Sequence, residues 1–112
     1  SLTDLIDQSQ YFFSSSKNFD STQLKKIWKQ DTSEKIIELK KVLNSIDSWA
    51  ANELETNFKS FTDQKGIGIG KVMQPMRFLI CGSLQGPSLF DLMELIGKEE
   101  SLSRINYAIK EF

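Results

Sequence analysis

A chain of 112 residues that is 39% hydrophobic, carries eight phenylalanines and has a net charge of −1 holds enough apolar material for one domain with one core. It has no histidine, which excludes Cys/His zinc sites and every nucleophile–histidine arrangement, and its single cysteine, Cys81, cannot close an internal disulfide. No apolar run approaches the ~20 residues that span a bilayer and no signal-peptide pattern opens the chain, so the expectation is a soluble, cytoplasmic protein.

The first segment, Leu2 to Phe13, puts Leu2, Leu5 and Ile6 on one helical face and ends in Tyr11, Phe12 and Phe13. It begins mid-pattern without a cap, as a piece of a longer chain would. After the polar SSSKNFD loop, Asp20 with Gln23 reads as a capping box opening a short helix through Ile27 and Trp28. Asp31 with Glu34 repeats that signature before a helix on which Ile36, Leu39, Leu43 and Ile46 form the apolar stripe. Asp47 or Ser48 is positioned to cap the next helix, with Ala51, Leu54, Phe58 and Phe61 inward, and the Gly66–Gly70 stretch ends it. From Ile69 the residues Val72, Met73, Met76, Leu79 and Ile80 suit a further helix, which Pro75 either starts or kinks and Gly82 closes. Ser88 with Asp91 opens a helix burying Leu89, Leu92, Met93 and Ile96 until Gly97 stops it. A last helix, Lys98 to Glu111, buries Leu102, Ile105, Tyr107 or Ala108, and Ile109. No convincing strand is present. The fold expected is all-α, a helical bundle of about six to seven short helices.

Five of the six glycines and both prolines fall between Lys65 and Pro87. GIGIGK does not fit a phosphate-binding loop. The dinucleotide fingerprint needs glycine where Lys71 stands, and a P-loop needs Ser or Thr where Val72 stands and glycine where Lys65 stands. A helix-terminating turn is the better reading. Glu53 with Glu55 and Glu99 with Glu100 read as solvated helix faces, and Cys81, in its LIC context, as a buried small hydrophobe. Trp28 and Trp49, at helix starts, read as core or staple residues rather than base-stacking platforms.

The charge is uneven. Residues 1–16 sum to −2, 17–41 to +3, 42–58 to −3, 59–77 to +3 and 78–112 to −2, so a polyanion would meet local patches. The lysines at 25, 26, 29, 40 and 41 serve either solubility or phosphate contact. Arg77, one of two arginines, sits in a positive segment behind Pro75. Its guanidinium can form a bidentate contact with a base edge or phosphate, or can anchor a carbonyl or carboxylate internally; the residues alone leave both open.

The run GKVMQPMRFLICGSLQGPSLFDLMELIGKEESLSRINYAIKEF closely resembles the C-terminal end of bacterial-type glutamyl-tRNA synthetases. That family shows a Lys-x-x-x-Pro-Leu-Arg helix closing on Gly, a Gly-Pro turn, a Leu-Phe helix, Gly-Lys-Glu and a final Leu-x-Arg-x-x-x-Ala-Ile. The chain supplies Lys71, Pro75, Arg77, Gly82, Gly86, Pro87, Leu89, Phe90, Gly97, Lys98, Glu99, Leu102, Arg104, Ala108 and Ile109, with Met76 where leucine is usual and Cys81 where threonine is common. The opening LIDQSQYFF looks like the family's helix ending in Tyr-Phe-Phe; residues 14–64 match more vaguely. The resemblance implies an anticodon-binding domain of class I synthetase type, with 1–64 as helical support and 65–112 as the helix-turn-helix region facing the anticodon. By position, the implied RNA-binding residues are Lys71, Arg77, Gly86, Pro87 and Leu89. Arg77 would bond a base or its phosphate, Pro87 and Leu89 would pack on unstacked bases, and Gly86 would offer backbone groups, as single-stranded loops are read. The implied partner is the tRNA for glutamate, with the chain a monomer that binds no metal and no membrane. The family's His-Ile-Gly-His and Lys-Met-Ser-Lys-Ser signatures are absent. The chain is thus expected to bind and not to catalyse, and to hold no cofactor, with ATP and Mg2+ belonging to a catalytic part upstream. The alternative reading is a stand-alone helical protein-interaction module.

Overall fold

The computed structural model describes residues 1, 3, 4, 6, 7 and 20–112. Among them the fold is all-helical: α1 (Ser21–Ile27), α2 (Thr32–Asn44), α3 (Ala51–Lys65), α4 (Gly70–Cys81) and α5 (Leu89–Glu111). Most of the expected first helix, including Tyr11, Phe12 and Phe13, lies outside the described residues. Residues 3, 4, 6 and 7 are helical, and Ile6 rests against the core.

Five helices are described where six to seven are expected, because the expected first helix lies mostly outside the described residues and the last two adjoin across Gly97 and are taken together as α5. Gly97 still breaks the helical geometry inside it, at φ 89° and ψ 167°. That conformation is open essentially to glycine alone. Two helical segments therefore meet in a kink at Gly97, where the first one stops.

α5 packs on α2, α3 and α4, and α1 packs on α4. The apolar stripes deliver the core. Ile36, Leu39 and Leu43 of α2, Leu54 and Phe58 of α3, Val72, Met76 and Ile80 of α4, and Leu92, Met93 and Ile105 of α5 are all fully buried. Phe58 meets Phe90 edge-on at 5.0 Å. On the C-terminal half of α5 the buried stripe is Ser101, Arg104, Ile105 and Ala108, while Leu102, Tyr107 and Ile109 are only half-buried. Ile105 and Ala108 point inward as expected, and Ser101 and Arg104 join them in place of Leu102 and Ile109, with Arg104 reaching a backbone carbonyl.

The helix ends show which local signals won. Asp20 caps α1, its Oδ1 accepting from the amides of Thr22 and Gln23, and Ser88 accepts from the amide of Asp91 to open α5. Gly66, at φ 67°, ends α3 with the amide of Ile67 reaching back to the carbonyl of Thr62. Two expected caps are not used. Asp31 makes no capping bond; its carboxylate pairs with Lys35 at 2.5 Å, and Thr32 Oγ1 instead accepts from the amide of Lys29. Neither Asp47 nor Ser48 caps α3, which starts after Ala50, and the amide of Ala51 donates to Glu94 of α5 at 2.6 Å.

That distant cap belongs to a set. Lys98 Nζ donates to the carbonyls of Asn44 and Ile46 at the end of α2, and Arg104 Nη1 donates to the carbonyl of Ile80 at the end of α4. Each charge suits the helix end it meets, a carboxylate at a start and cations at two ends. α5 thus closes the termini of three other helices. Trp49 joins it at the bend, its indole N–H donating to the carbonyl of Met93, the i−4 carbonyl of Gly97.

Pro75 lies inside α4, which begins at Gly70 and continues past it to Cys81, so it neither starts nor ends the helix. Its missing N–H leaves the carbonyl of Lys71 without the usual i+4 donor. Cys81 is buried in the core as expected, and its thiol donates to the carbonyl of Arg77. Burial pushes that thiol above its ordinary range, with backbone hydrogen bonding from Ser83 opposing it, so it stays protonated and unreactive.

Candidate nucleic-acid interface

α4 divides its two faces sharply. Val72, Met76, Phe78, Leu79 and Ile80 go to the core, whereas Gly70, Gln74 and Arg77 repeat at i, i+4, i+7 on the outer face, with Lys71 beside them. Gly70, Lys71 and Gln74 are exposed and Arg77 is half-buried. At the far end the helix closes at Gly82 and a loop runs over residues 82–88 to the start of α5.

Arg77 settles one of its two open roles. Its Nη1 donates to the carbonyl of Pro87 at 2.7 Å, so it does hold a backbone carbonyl internally. That carbonyl belongs to the Gly86–Pro87 turn, which ties the guanidinium to the very loop the sequence singles out. A guanidinium has five N–H donors, and only this one is engaged among the described residues. The remaining donors and the positive charge stay at the surface, and a single geometry places both helix and turn.

Gly86 and Pro87 are exposed, with Gly86 at φ 134°. Ser83 tightens the loop from within, its hydroxyl accepting from the amide of Gln85 and donating to the carbonyl of Gln85. Leu89 requires a correction. It is the first residue of α5 and is 0% exposed, packed in the core, so in this arrangement its side chain cannot lie on an unstacked base. The exposed apolar residue of this corner is Leu84, 43% accessible. The sequence gives a reason for the difference. Leu89 continues the inward stripe with Leu92 and Met93, whereas Leu84 lies between Gly82 and Gly86, outside any periodic stripe.

At the other end of α4, Lys71 and Gly70 line a pocket of about 120 Å³ with Gln74 and Pro75, closed by Lys26 and Ile27 of α1, Lys29 of the connection, and Asp31, Thr32 and Lys35 at the head of α2. Lys35's hydrogen bond, then backbone hydrogen bonding, holds the Asp31 carboxyl below its ordinary range, with Lys71 adding a smaller favourable charge. Lys26, Lys29, Lys35 and Gln74 complete this wall. The sequence marked Lys26 and Lys29 only as part of a cationic surface and did not single out Lys35 or Gln74. Their convergence with Lys71 depends on α1 packing on α4.

The tryptophans are used internally. Trp28 packs edge-on against Phe112 at 5.1 Å and donates to Ser33 Oγ, and Trp49 is bound to Met93. Among the described residues no group of acidic, cysteine and histidine side chains could hold a metal ion, and no helix is long and apolar enough to cross a membrane.

The sequence profile of the anticodon binding domain matches residues 1–109. The chain is 44% identical over 106 residues to the glutamate--tRNA ligase of Christiangramia forsetii, which covers 95% of the chain and 21% of that protein. It is 42% identical over 108 residues to the glutamate--tRNA ligase of Flavobacterium psychrophilum, covering 96% and 21%. In structure it resembles a crystal structure of a glutamate tRNA ligase from Elizabethkingia meningosepticum, with a TM-score of 0.78 and 41% identity over 84% of the chain and 18% of that protein. The chain therefore spans about a fifth of the length of these relatives.

Proposed function

The chain belongs to the anticodon-binding domain family, and we propose that it is the part of a glutamate–tRNA ligase that reads the anticodon loop of the tRNA for glutamate. The observation that carries the residue-level reading is the coupling of Arg77 to the Pro87 carbonyl. One cationic side chain fixes the exposed turn and keeps most of its donors at the surface beside that turn. Single-stranded RNA loops are read by groups of this kind, with guanidinium donors bonding base edges or phosphates while exposed backbone and apolar atoms meet splayed bases. Arg77, Gly86 and Pro87 supply these groups, Lys71 adds charge at the other end of the helix, and Leu84 takes the apolar place that Leu89 does not occupy.

The chain contributes binding and positioning. The ATP- and Mg2+-dependent chemistry belongs to residues outside it, in a cytoplasmic parent enzyme, and residues 65–112 carry the anticodon-facing work on the support of 1–64. The family match weighs against an independent protein-interaction module.

Titration of the chain with an anticodon stem-loop of glutamate tRNA tests this. Arg77→Ala should weaken binding by about 1–3 kcal/mol and blunt the preference for the cognate anticodon, with helical circular dichroism intact. Arg77→Lys keeps the charge without the fork and should recover only part of the loss. A folded wild-type chain that ignores the stem-loop at low salt would sink the proposal.

A further inference from the structure

The pocket between α1, α2 and α4 has a composition that the anticodon reading does not use. Four lysines, Lys26, Lys29, Lys35 and Lys71, line it against a single carboxylate, Asp31. Only Lys35 is ion-paired, with Asp31; Lys26, Lys29 and Lys71 form no ion pair among the described residues. A concavity carrying a formal +3, from four lysines less one aspartate, attracts an anion more strongly than the same charges spread over a convex surface.

The walls also suit one kind of anion. Apart from the lysine stems, the apolar lining is Ile27 and Pro75, and no aromatic ring is present to stack a base. Thr32 holds the amide of Lys29 at 2.9 Å, which fixes the connection that presents this lysine. Both α2 and α4 begin at the pocket, so the positive ends of two helix dipoles add to the lysine charge. Lysine binds phosphate as a point charge. The volume, about 120 Å³, leaves room for a phosphate group and its waters.

We propose that this pocket is a phosphate seat that holds a backbone phosphate of the RNA whose bases meet Arg77 and the Gly86–Pro87 turn. The inference rests on the anticodon reading for the identity of the RNA, but the seat stands on the pocket itself. Lys71 and Arg77 lie six residues apart on α4, about 9 Å along its axis, so one strand can be gripped at the phosphate by one and read by the other. The seat is indifferent to sequence; Arg77 and the turn supply discrimination.

The test compares the wild-type chain with a Lys29→Gln/Lys71→Gln double variant, Asp31→Asn, and Lys59→Gln as a control outside the pocket. Against the glutamate anticodon stem-loop, the double variant should lose affinity equally for cognate and altered anticodons. Its logarithmic salt slope should fall by about 2, roughly one per lysine removed. Asp31→Asn should bind more tightly and Lys59→Gln should match wild type. In a second arm, inorganic phosphate is titrated at constant ionic strength while the amide resonances of residues 29–35 and 70–74 are followed. Saturable shifts that disappear in the double variant support the seat. If phosphate shifts these amides but the stem-loop does not bind, the pocket takes free phosphate and the RNA assignment is lost. An unchanged salt slope in the double variant while Arg77→Ala still weakens binding would overturn the seat and leave the anticodon reading standing.

Discussion

Arg104 shows how a charged side chain can belong to a core. It is 1% exposed, yet its Nε donates to Glu100 at 2.8 Å and its Nη1 to the carbonyl of Ile80. Glu100 remains 40% exposed, so its carboxylate keeps water while the guanidinium exchanges water for fixed acceptors. The carbonyl of Ile80 has no helical donor at the end of α4, and Arg104 supplies one. Arg104→Ala should therefore open a cavity and orphan that carbonyl, lowering stability by about 3 kcal/mol or more in urea denaturation. Arg104→Met refills the volume without the donors and should cost about 1–3 kcal/mol. A neutral Arg104→Met beside a destabilised Arg104→Ala would mean that volume alone matters and that the carbonyl is satisfied without Arg104. Arg77 differs in kind, since it also binds one carbonyl but keeps its charge at the surface.

At the scale of elements, α5 is the common fastener, and Gly97 sets its bend. No atom lies within 4 Å of where a Cβ on Gly97 would stand, so a substitution there is strained through the backbone at φ 89° rather than through crowding. Gly97→Ala should cost about 1–3 kcal/mol. Gly70, in the first turn of α4, also has open space but no positive φ, so Gly70→Ala should be neutral or stabilise by up to about 1 kcal/mol. Urea midpoints for the two variants should move in opposite directions or differ by at least the larger loss. If Gly97→Ala is neutral, the bend does not depend on glycine. The stripes of α2, α3 and α4 were legible because a 3.6-residue period records burial directly, and Gly66 and Gly82 were legible because left-handed caps favour glycine. The caps of α2 and α3 were misread for a physical reason. Asp31, Asp47 and Ser48 have the right chemistry, but Lys35 engages Asp31, and Glu94, 43 residues from Ala51, fills the place the other two would take. Local propensity cannot see a partner delivered by tertiary structure.

At the scale of the whole molecule, the two +3 segments are separated along the chain by a −3 segment, and the fold reunites them. Lys26, Lys29 and Lys35 come from the first and Lys71 from the second. The sequence exposed the charges but not their meeting, and in the same way it marked Pro87 and Arg77 without the bond between them. The capping scheme has a consequence for unfolding. Because Glu94, Lys98 and Arg104 each close a different helix, loosening α5 uncaps α2, α3 and α4 together, which favours one cooperative transition. The weakest attachment in this scheme is α1, which receives no cap from α5 and packs on α4. The two tryptophans report on these parts separately. Trp28 follows α1 and packs against Phe112, at the C-terminal end of α5, whereas Trp49 precedes α3 and is bonded to Met93 at the Gly97 bend. In Trp49→Phe the remaining fluorescence comes from Trp28, and in Trp28→Phe it comes from Trp49. Within each variant the urea midpoint by fluorescence should coincide with that by far-ultraviolet circular dichroism, because the Trp28–Phe112 contact links α1 to the same fastener. A Trp28 signal that changes at lower urea than the helical signal would show α1 detaching first. The α1 wall of the lysine pocket would then leave the α2 and α4 walls before the core melts, and the phosphate seat would be lost at denaturant levels where Arg77 still holds its turn.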